Sequence, residues 1–250
     1  MNFNEQNIIQ FKESVARHLD TVSSQSNERT TANDFGSFPL IRGKQCLYIM
    51  DWKQSKLTYT RHIEDMLGYT EEEFSMDIAL NYFHPDDNDF VKRVVKAIVI
   101  YCIDRTNIHD EPYLLLTFRL QRKDGSYIKV LRQSFVLEKD SDGKMISNLS
   151  LLTDISFIDD GDRVSWDIYG NNIDQTLFKK QIHEAFDDFF TNREKEIIQL
   201  IEAELSNAEI AKKLFISKHT VATHRKNIFK KSQSHNTKQL IQFCKKNGVL

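Results

Sequence analysis

Apolar residues change their spacing along the chain, and each change predicts a different element. Near the amino terminus Ile8, Phe11, Val15 and Leu19 fall at helical intervals, predicting an amphipathic helix over 5–20. The polar run "SSQSNERTTAND" then reads as a loose connection. From Phe38 to Ile158 the pattern mixes strands and helices. "QCLYIMDW" and "KLTYT" predict short strands, "RHIEDMLGYTEEEF" short helices broken at Gly68, and "DFVKRVVKAIVIYCIDR" a longer helix. Three strand-like runs follow: "YLLLTFRLQRK", "SYIKVLRQSFVLEK" and "KMISNLSLLTDISFI". Asp124-Gly125 and Asp142-Gly143 separate them, and Asp-Gly supplies the positive φ that tight hairpins require. The three runs should therefore form an antiparallel meander. Residues 159–173, "DDGDRVSWDIYGNNI", predict an acidic, turn-rich connection, and "DQTLFKKQIHEAFDDFF" an amphipathic helix.

From Thr191 onward the pattern predicts four consecutive helices. Thr191-x-x-Glu194 and Ser206-x-x-Glu209 are capping boxes; Ser217 can cap the third helix and Asn236 or Thr237 the fourth. Ile197, Leu200, Ile201, Ile210, Ala211, Leu214, Ile216, Val221, Ile228, Leu240 and Ile241 would close one small core. The segments 207–214, "FIS" and 218–231 make a helix-turn-helix. If Val221, Ile228 and the stem of Arg225 pack inward, the opposite face carries His219, Ala222, Thr223, Lys226 and Lys230 as one stripe. A helix of this width fits the DNA major groove. His219, Ala222, Thr223 and Lys226 are then candidates for reading bases. Lys218, Arg225, Lys230 and Lys231 are candidates for neutralising phosphates, which fixes register and steepens salt dependence.

Composition fits this division. The chain of 250 residues is 40% hydrophobic and 28% charged, ordinary for a soluble protein of one or two domains. Its formal charge of −2 conceals an asymmetry. Residues 191–250 hold 12 Lys and Arg against 5 Asp and Glu, a balance of +7, whereas 1–190 balance at −9. A basic module facing a polyanion explains this better than chance clustering on solvated helices. The three cysteines, Cys46, Cys102 and Cys244, are odd in number and far apart. That argues against a disulfide framework or a zinc site and favours a reducing cytoplasm. No apolar run approaches the ~18 residues of a membrane span, and the amino terminus lacks a secretion-signal pattern. The expected location is therefore cytoplasmic, away from membranes. No Gly-rich phosphate loop or GxSxG turn is present, and "DSDGK" departs from a calcium loop because Gly143 falls too early. No enzymatic activity is expected.

Two resemblances sharpen these expectations. "FTNREKEIIQLIEAELSNAEIAKKLFISKHTVATHRKNIFKK", Phe190 to Lys231, is similar to the LuxR-type (GerE-like) helix-turn-helix pattern "LTxRExEVLxLIAxGxSNxEIAxxLxISxxTVxxHxxNIxxKL". The resemblance implies phosphate contact by Thr220 and its neighbours, with Ala222, Thr223 and Lys226 facing bases. It departs from the pattern at Ala222, where the family usually has Lys or Arg, and at "KSQ" over 231–233 instead of "KLG". Ala222 and the Thr223 methyl suit a thymine methyl better than guanine. The segments "HIEDMLGYTEEEF", "FHPDDNDFVKRVV", "FRLQRKDGSYIKVLRQ", "DSDGKM" and "LTDIS" resemble, in order, a PAS domain. That implies a five-stranded antiparallel sheet with short helices. The expected architecture is an α+β PAS domain followed by an all-α four-helix helix-turn-helix domain. It comprises a helix and connection over 1–37, the sensor over 38–158, a linker with a helix over 159–190, and the DNA-binding domain over 191–250.

By the PAS resemblance "HPDD" is a helix start, so Asp86 or Asp87 is expected to cap rather than to join His84 and Asp89 in binding metal. The flavin-adduct motif "NCRFLQ" is missing, and residues 90–105 hold no histidine for haem. Cys102 could serve as a thiolate ligand or as plain core. Ile98, Cys102, Leu116, Phe118 and Leu120 are candidate pocket residues, suited equally to a small apolar or aromatic ligand and to a ligand-free core. No cofactor is required. The resulting expectation is a transcriptional regulator acting as a homodimer on double-stranded DNA, with RNA polymerase a further candidate partner. The rival readings are a haem- or flavin-bearing redox or gas sensor and a PAS-mediated interaction scaffold.

Overall fold

Alternation along the middle of the chain produces a single antiparallel sheet. The computed structural model describes residues 35–104, 111–158 and 163–250; the helix expected over 5–20 lies outside them. Two units divide between Phe178 and Lys179. The first contains β1 (Gln45–Asp51), β2 (Lys56–Arg61), α1 (Ile63–Leu67), α2 (Met76–Asn81), α3 (Pro85–Asp104), β3 (Tyr113–Gln121), β4 (Tyr127–Lys139), β5 (Met145–Asp154) and β6 (Ser165–Tyr169). The strands lie in the order β2-β1-β5-β4-β3-β6, each pair antiparallel.

The expected meander forms. Gly125 and Gly143 adopt φ of 85° and 82°, and their amides donate to the carbonyls of Arg122 and Asp140 at 3.0 Å. Asp124 completes its turn by accepting from the Ser126 amide and hydroxyl at 2.9 and 2.6 Å. Leu114, Leu116, Phe118 and Leu120 alternate inward along β3 and are all buried. The long helix α3 packs on β3 and β5 and buries Phe90, Val91, Val94, Val95, Ile98 and Cys102. Each large side chain so buried contributes about 1.5–3 kcal/mol before entropy is charged. Among the described residues, no helix is long and apolar enough to cross a membrane.

Two expectations need correction. The sheet has six strands rather than five, because 159–173 holds β6 as well as turns. In the register, Trp166 lies opposite Leu116 and Ile168 opposite Leu114, on the inward face of the sheet. The Trp166 ring packs 5.8 Å from that of Phe178. Its apolar residues alternate with Ser165, Asp167 and Tyr169, and pairing covers the edge that β3 would otherwise expose.

The helix-start segment also works differently. His84 supplies the cap, its Nδ1 accepting from the Asp86 amide at 3.2 Å. Asp87 is fully buried and accepts from the Arg119 amide at 2.8 Å, from Nε at 3.1 Å and from Nη2 at 2.5 Å. It thereby bolts the start of α3 to β3.

The second unit contains most of α4 (Gln175–Phe186), followed by α5 (Asn192–Glu202), α6 (Asn207–Leu214), α7 (Lys218–Lys231) and α8 (Thr237–Lys246). Ile197, Ile201, Ile210, Ala211, Val221, Ile228 and Leu240 are buried as the spacing predicts. Leu200, Leu214, Ile216 and Ile241 are only half-buried. An aromatic cluster of Phe186, Phe189, Phe190 and Phe243 completes the core, with ring centroids 4.9–6.3 Å apart.

Removing one partner of a buried, hydrogen-bonded ion pair strands the other charge. Asp87→Ala should therefore lower the stability of the first unit by about 3 kcal/mol, measured by urea denaturation. Lys123→Ala, which breaks an exposed pair with Glu73, should leave the denaturation midpoint nearly unchanged.

Candidate nucleic-acid interface and sensor cavity

Local capping builds the helix-turn-helix. Ser206 and Glu209 form the expected capping box at α6, with both reciprocal bonds present. The connection turns through Phe215, which adopts φ 54°, and the Ile216 amide donates back to the Ala211 carbonyl at 3.1 Å. Arg193 of α5 donates to the Leu214 carbonyl at 2.9 Å, satisfying the carboxyl end of α6 from another helix. Ser217 then starts α7 by accepting from the Thr220 amide at 3.0 Å, and the two hydroxyls lie 2.8 Å apart.

Helix α7 is sharply two-faced. Val221 and Ile228 are completely buried. Arg225 is half-buried, its guanidinium 5.8 Å from the centroid of the Phe229 ring, and burial lowers its pKa. His219, Ala222, Thr223, Lys226 and Lys230 are all exposed, together with Lys218. The Thr223 hydroxyl donates to the His219 carbonyl at 3.1 Å, so its proton is spent on the helix backbone. Thr220 is half-buried, its hydroxyl shared with Ser217.

Lys231 has a partner that its sequence position did not suggest. Its ammonium lies 2.6 Å from Glu194 Oε2 and 5.9 Å from the Phe190 ring centroid. The pair gives Lys231 an internal partner while its side chain stays 38% exposed. The sequence shows a basic residue at the end of a basic helix; it does not show that Glu194, capping another helix, turns a carboxylate toward it.

The first unit has a partly open cavity of about 30 Å³ beneath α3. Ile98 and Cys102 line it, whereas Leu116, Phe118 and Leu120 belong to the surrounding core. Sequence reasoning missed the polar part of its wall. Arg132, Ser134 and Asn148 line the cavity beside apolar residues that include Val99, Val136 and Met145. Arg132 Nε donates to Ser134 Oγ at 2.9 Å and Ser150 Oγ at 3.2 Å. The two serine hydroxyls are 2.8 Å apart, and Asn148 donates to Ser150 at 3.0 Å while accepting from the Trp52 indole at 2.7 Å. The signal was present in "YIKVLRQSFVLEK": Ile128, Val130, Arg132, Ser134 and Val136 share one phase of the alternation, and that phase faces inward. In "DSDGK", Asp140 Oδ1 accepts from the amides of Asp142 and Lys144 at 2.9 and 2.8 Å, which is turn closure.

Fold and site together define a two-module protein, a mixed sheet-and-helix domain followed by a helix-turn-helix whose second helix presents a polar, basic face. Residues 188–244 match the bacterial regulatory proteins of the luxR family, and residues 56–151 match the PAS fold. The chain thus carries a LuxR-type helix-turn-helix domain preceded by a PAS domain. It is similar to the uncharacterized response regulatory protein YgeK of Escherichia coli (strain K12), 48% identical over 63 residues. That match covers 25% of this chain and 43% of YgeK. It is also similar to the uncharacterized transcriptional regulatory protein YxjL of Bacillus subtilis (strain 168), 38% identical over 73 residues, covering 29% of this chain and 34% of YxjL. The chain therefore spans less than half the length of these curated relatives. Among solved structures, the N-terminal domain of a Marinobacter aquaeolei diguanylate cyclase with PAS/PAC sensor is 20% identical with a TM-score of 0.35. It covers 46% of this chain and 97% of that one.

Burial pushes the Glu194 carboxyl up, but the Lys231 ammonium and the Thr191 amide and hydroxyl outweigh it. They hold it below the ordinary value of 4.5. A depressed folded-state pKa gives stability that is present above the unfolded value and lost as pH falls through the folded one. Glu194→Gln should therefore be less stable than the native chain at pH 7, and the gap should shrink as pH falls below 4.5. Chemical denaturation at several pH values checks this; a gap independent of pH would refute the pairing.

Proposed function

We propose that the chain is a sequence-specific DNA-binding transcriptional regulator whose PAS domain senses a signal or mediates dimerisation. The observation that carries this reading is the division of α7. Its apolar side is sunk in the domain core, while His219, Ala222, Thr223 and Lys226 stand exposed along one face. Docked in a major groove, these four read bases, with Ala222 offering apolar contact to a thymine methyl and Lys226 a donor to guanine. Lys218, Thr220, Arg225 and Lys230 flank them and hold phosphates. A homodimer on two half-sites about one helical turn apart follows from this class of docking, and RNA polymerase is the partner through which a bound regulator would act in the cytoplasm. The signal acts by binding two arrangements of the dimer unequally. Against a haem or flavin sensor stands the cavity described above, which at about 30 Å³ is far smaller than either ring system.

Selection from random duplexes provides the recognition site. On it, Lys226→Ala and Thr223→Ala should each weaken specific binding by about 1–3 kcal/mol while leaving random-duplex binding little changed. Lys230→Ala should weaken both alike and flatten the salt dependence by about one unit of slope. Unchanged specific affinity in both Lys226→Ala and Thr223→Ala would show that this face does not read bases.

A further inference from the structure

We infer that the cavity beneath α3 binds a small monocarboxylate, its carboxylate taken by Arg132 and its compact apolar body by Ile98, Val99, Val136 and Met145. The inference deepens the sensor reading by naming a ligand class, and it rests on that reading for its regulatory meaning. Arg132 is 2% exposed, and among the described residues its Nη1 has no hydrogen-bond partner. Its guanidinium meets the hydroxyls of Ser134 and Ser150 and the ring of Tyr48, whose centroid is 5.8 Å from the guanidinium carbon. None of these carries negative charge. Half-buried Arg119, by contrast, is paired with the carboxylate of Asp87.

Burial disfavours an uncompensated charge, so an isolated guanidinium at a cavity wall favours an incoming anion. Its planar donor fork matches a carboxylate in shape as well as charge. A single cation in an otherwise largely apolar wall selects one carboxylate rather than two. The size of the cavity, about 30 Å³, admits a compact head, and flexible Met145 can yield to a short body. The serine-asparagine chain running from Arg132 to the Trp52 indole gives occupancy an optical consequence in the same domain.

The test titrates the full-length chain with acetate, butyrate and benzoate, with sodium chloride at matched ionic strength and with butyramide and benzamide as neutral counterparts. Thermal midpoint and tryptophan fluorescence are both read. At least one carboxylate should raise the midpoint by about 3 °C or more at saturation and change the fluorescence, while its amide does neither. Arg132→Met should abolish the response without lowering the starting midpoint, since it removes an uncompensated buried charge. Val136→Phe, which fills the cavity and keeps Arg132, should abolish it too. No response to any of the three acids, an equal response to the amides, or a native-like response in either variant overturns the inference. DNA binding is measured on the same preparations. Its failure with the carboxylate response intact counts against the regulator reading alone, and the converse counts against the ligand alone.

Discussion

Pairing of β4 with β5 is the constraint on which the first unit depends. These strands occupy the middle of the sheet, so each inward side chain on them is enclosed between β1 and β3 laterally and the helical layer above. The register sets Val130 against Asp154, Arg132 against Leu152, Ser134 against Ser150 and Val136 against Asn148. A slip of one residue would turn Leu131 and Gln133 inward and release Arg132 to the other face. The hairpin at Gly143 and the apolar residues on both strands forbid that slip. The polar strip on the buried face is therefore a consequence of register, and its hydroxyls and amide satisfy one another while leaving part of Arg132 unanswered.

In the second unit the corresponding constraint is the inward side of α7. Val221 and Ile228 fix the rotation of the helix, and Ser217 fixes where it starts. Once both are set, Ala222, Thr223 and Lys226 have no choice of face. The Glu194–Lys231 pair and the bond from Arg193 to Leu214 then lock the ends of neighbouring helices without spending any residue of the exposed face. Division of labour along one helix is what makes its surface available for recognition.

Much of this was legible in the residues. The two capping boxes, the Asp-Gly hairpins and the exposed stripe all depend on neighbours within about one or two turns of chain, and spacing reports such relationships directly. β6 was hidden because five alternating residues lie among Asp and Gly, and only the open edge of β3 gives them a partner. Asp87 looked like a cap because it occupies the first turn of a helix. Its actual partner, Arg119, is 32 residues away. The partner of Lys231 was hidden in the same way, because its carboxylate is 37 residues distant.

The sequence by itself determined the order of elements, the sites where helices and turns begin, and the residues that share the outer face of α7. Propensity, capping and periodicity act over short stretches, and those stretches are written in order. The tertiary structure decided which charges are spent on internal pairs and which remain. Arg119 and Lys231 are paired with carboxylates, whereas among the described residues Arg132 meets hydroxyls and an aromatic ring. Charge pairing is settled by proximity across strands and helices, and proximity exists only after the sheet and the helices have packed.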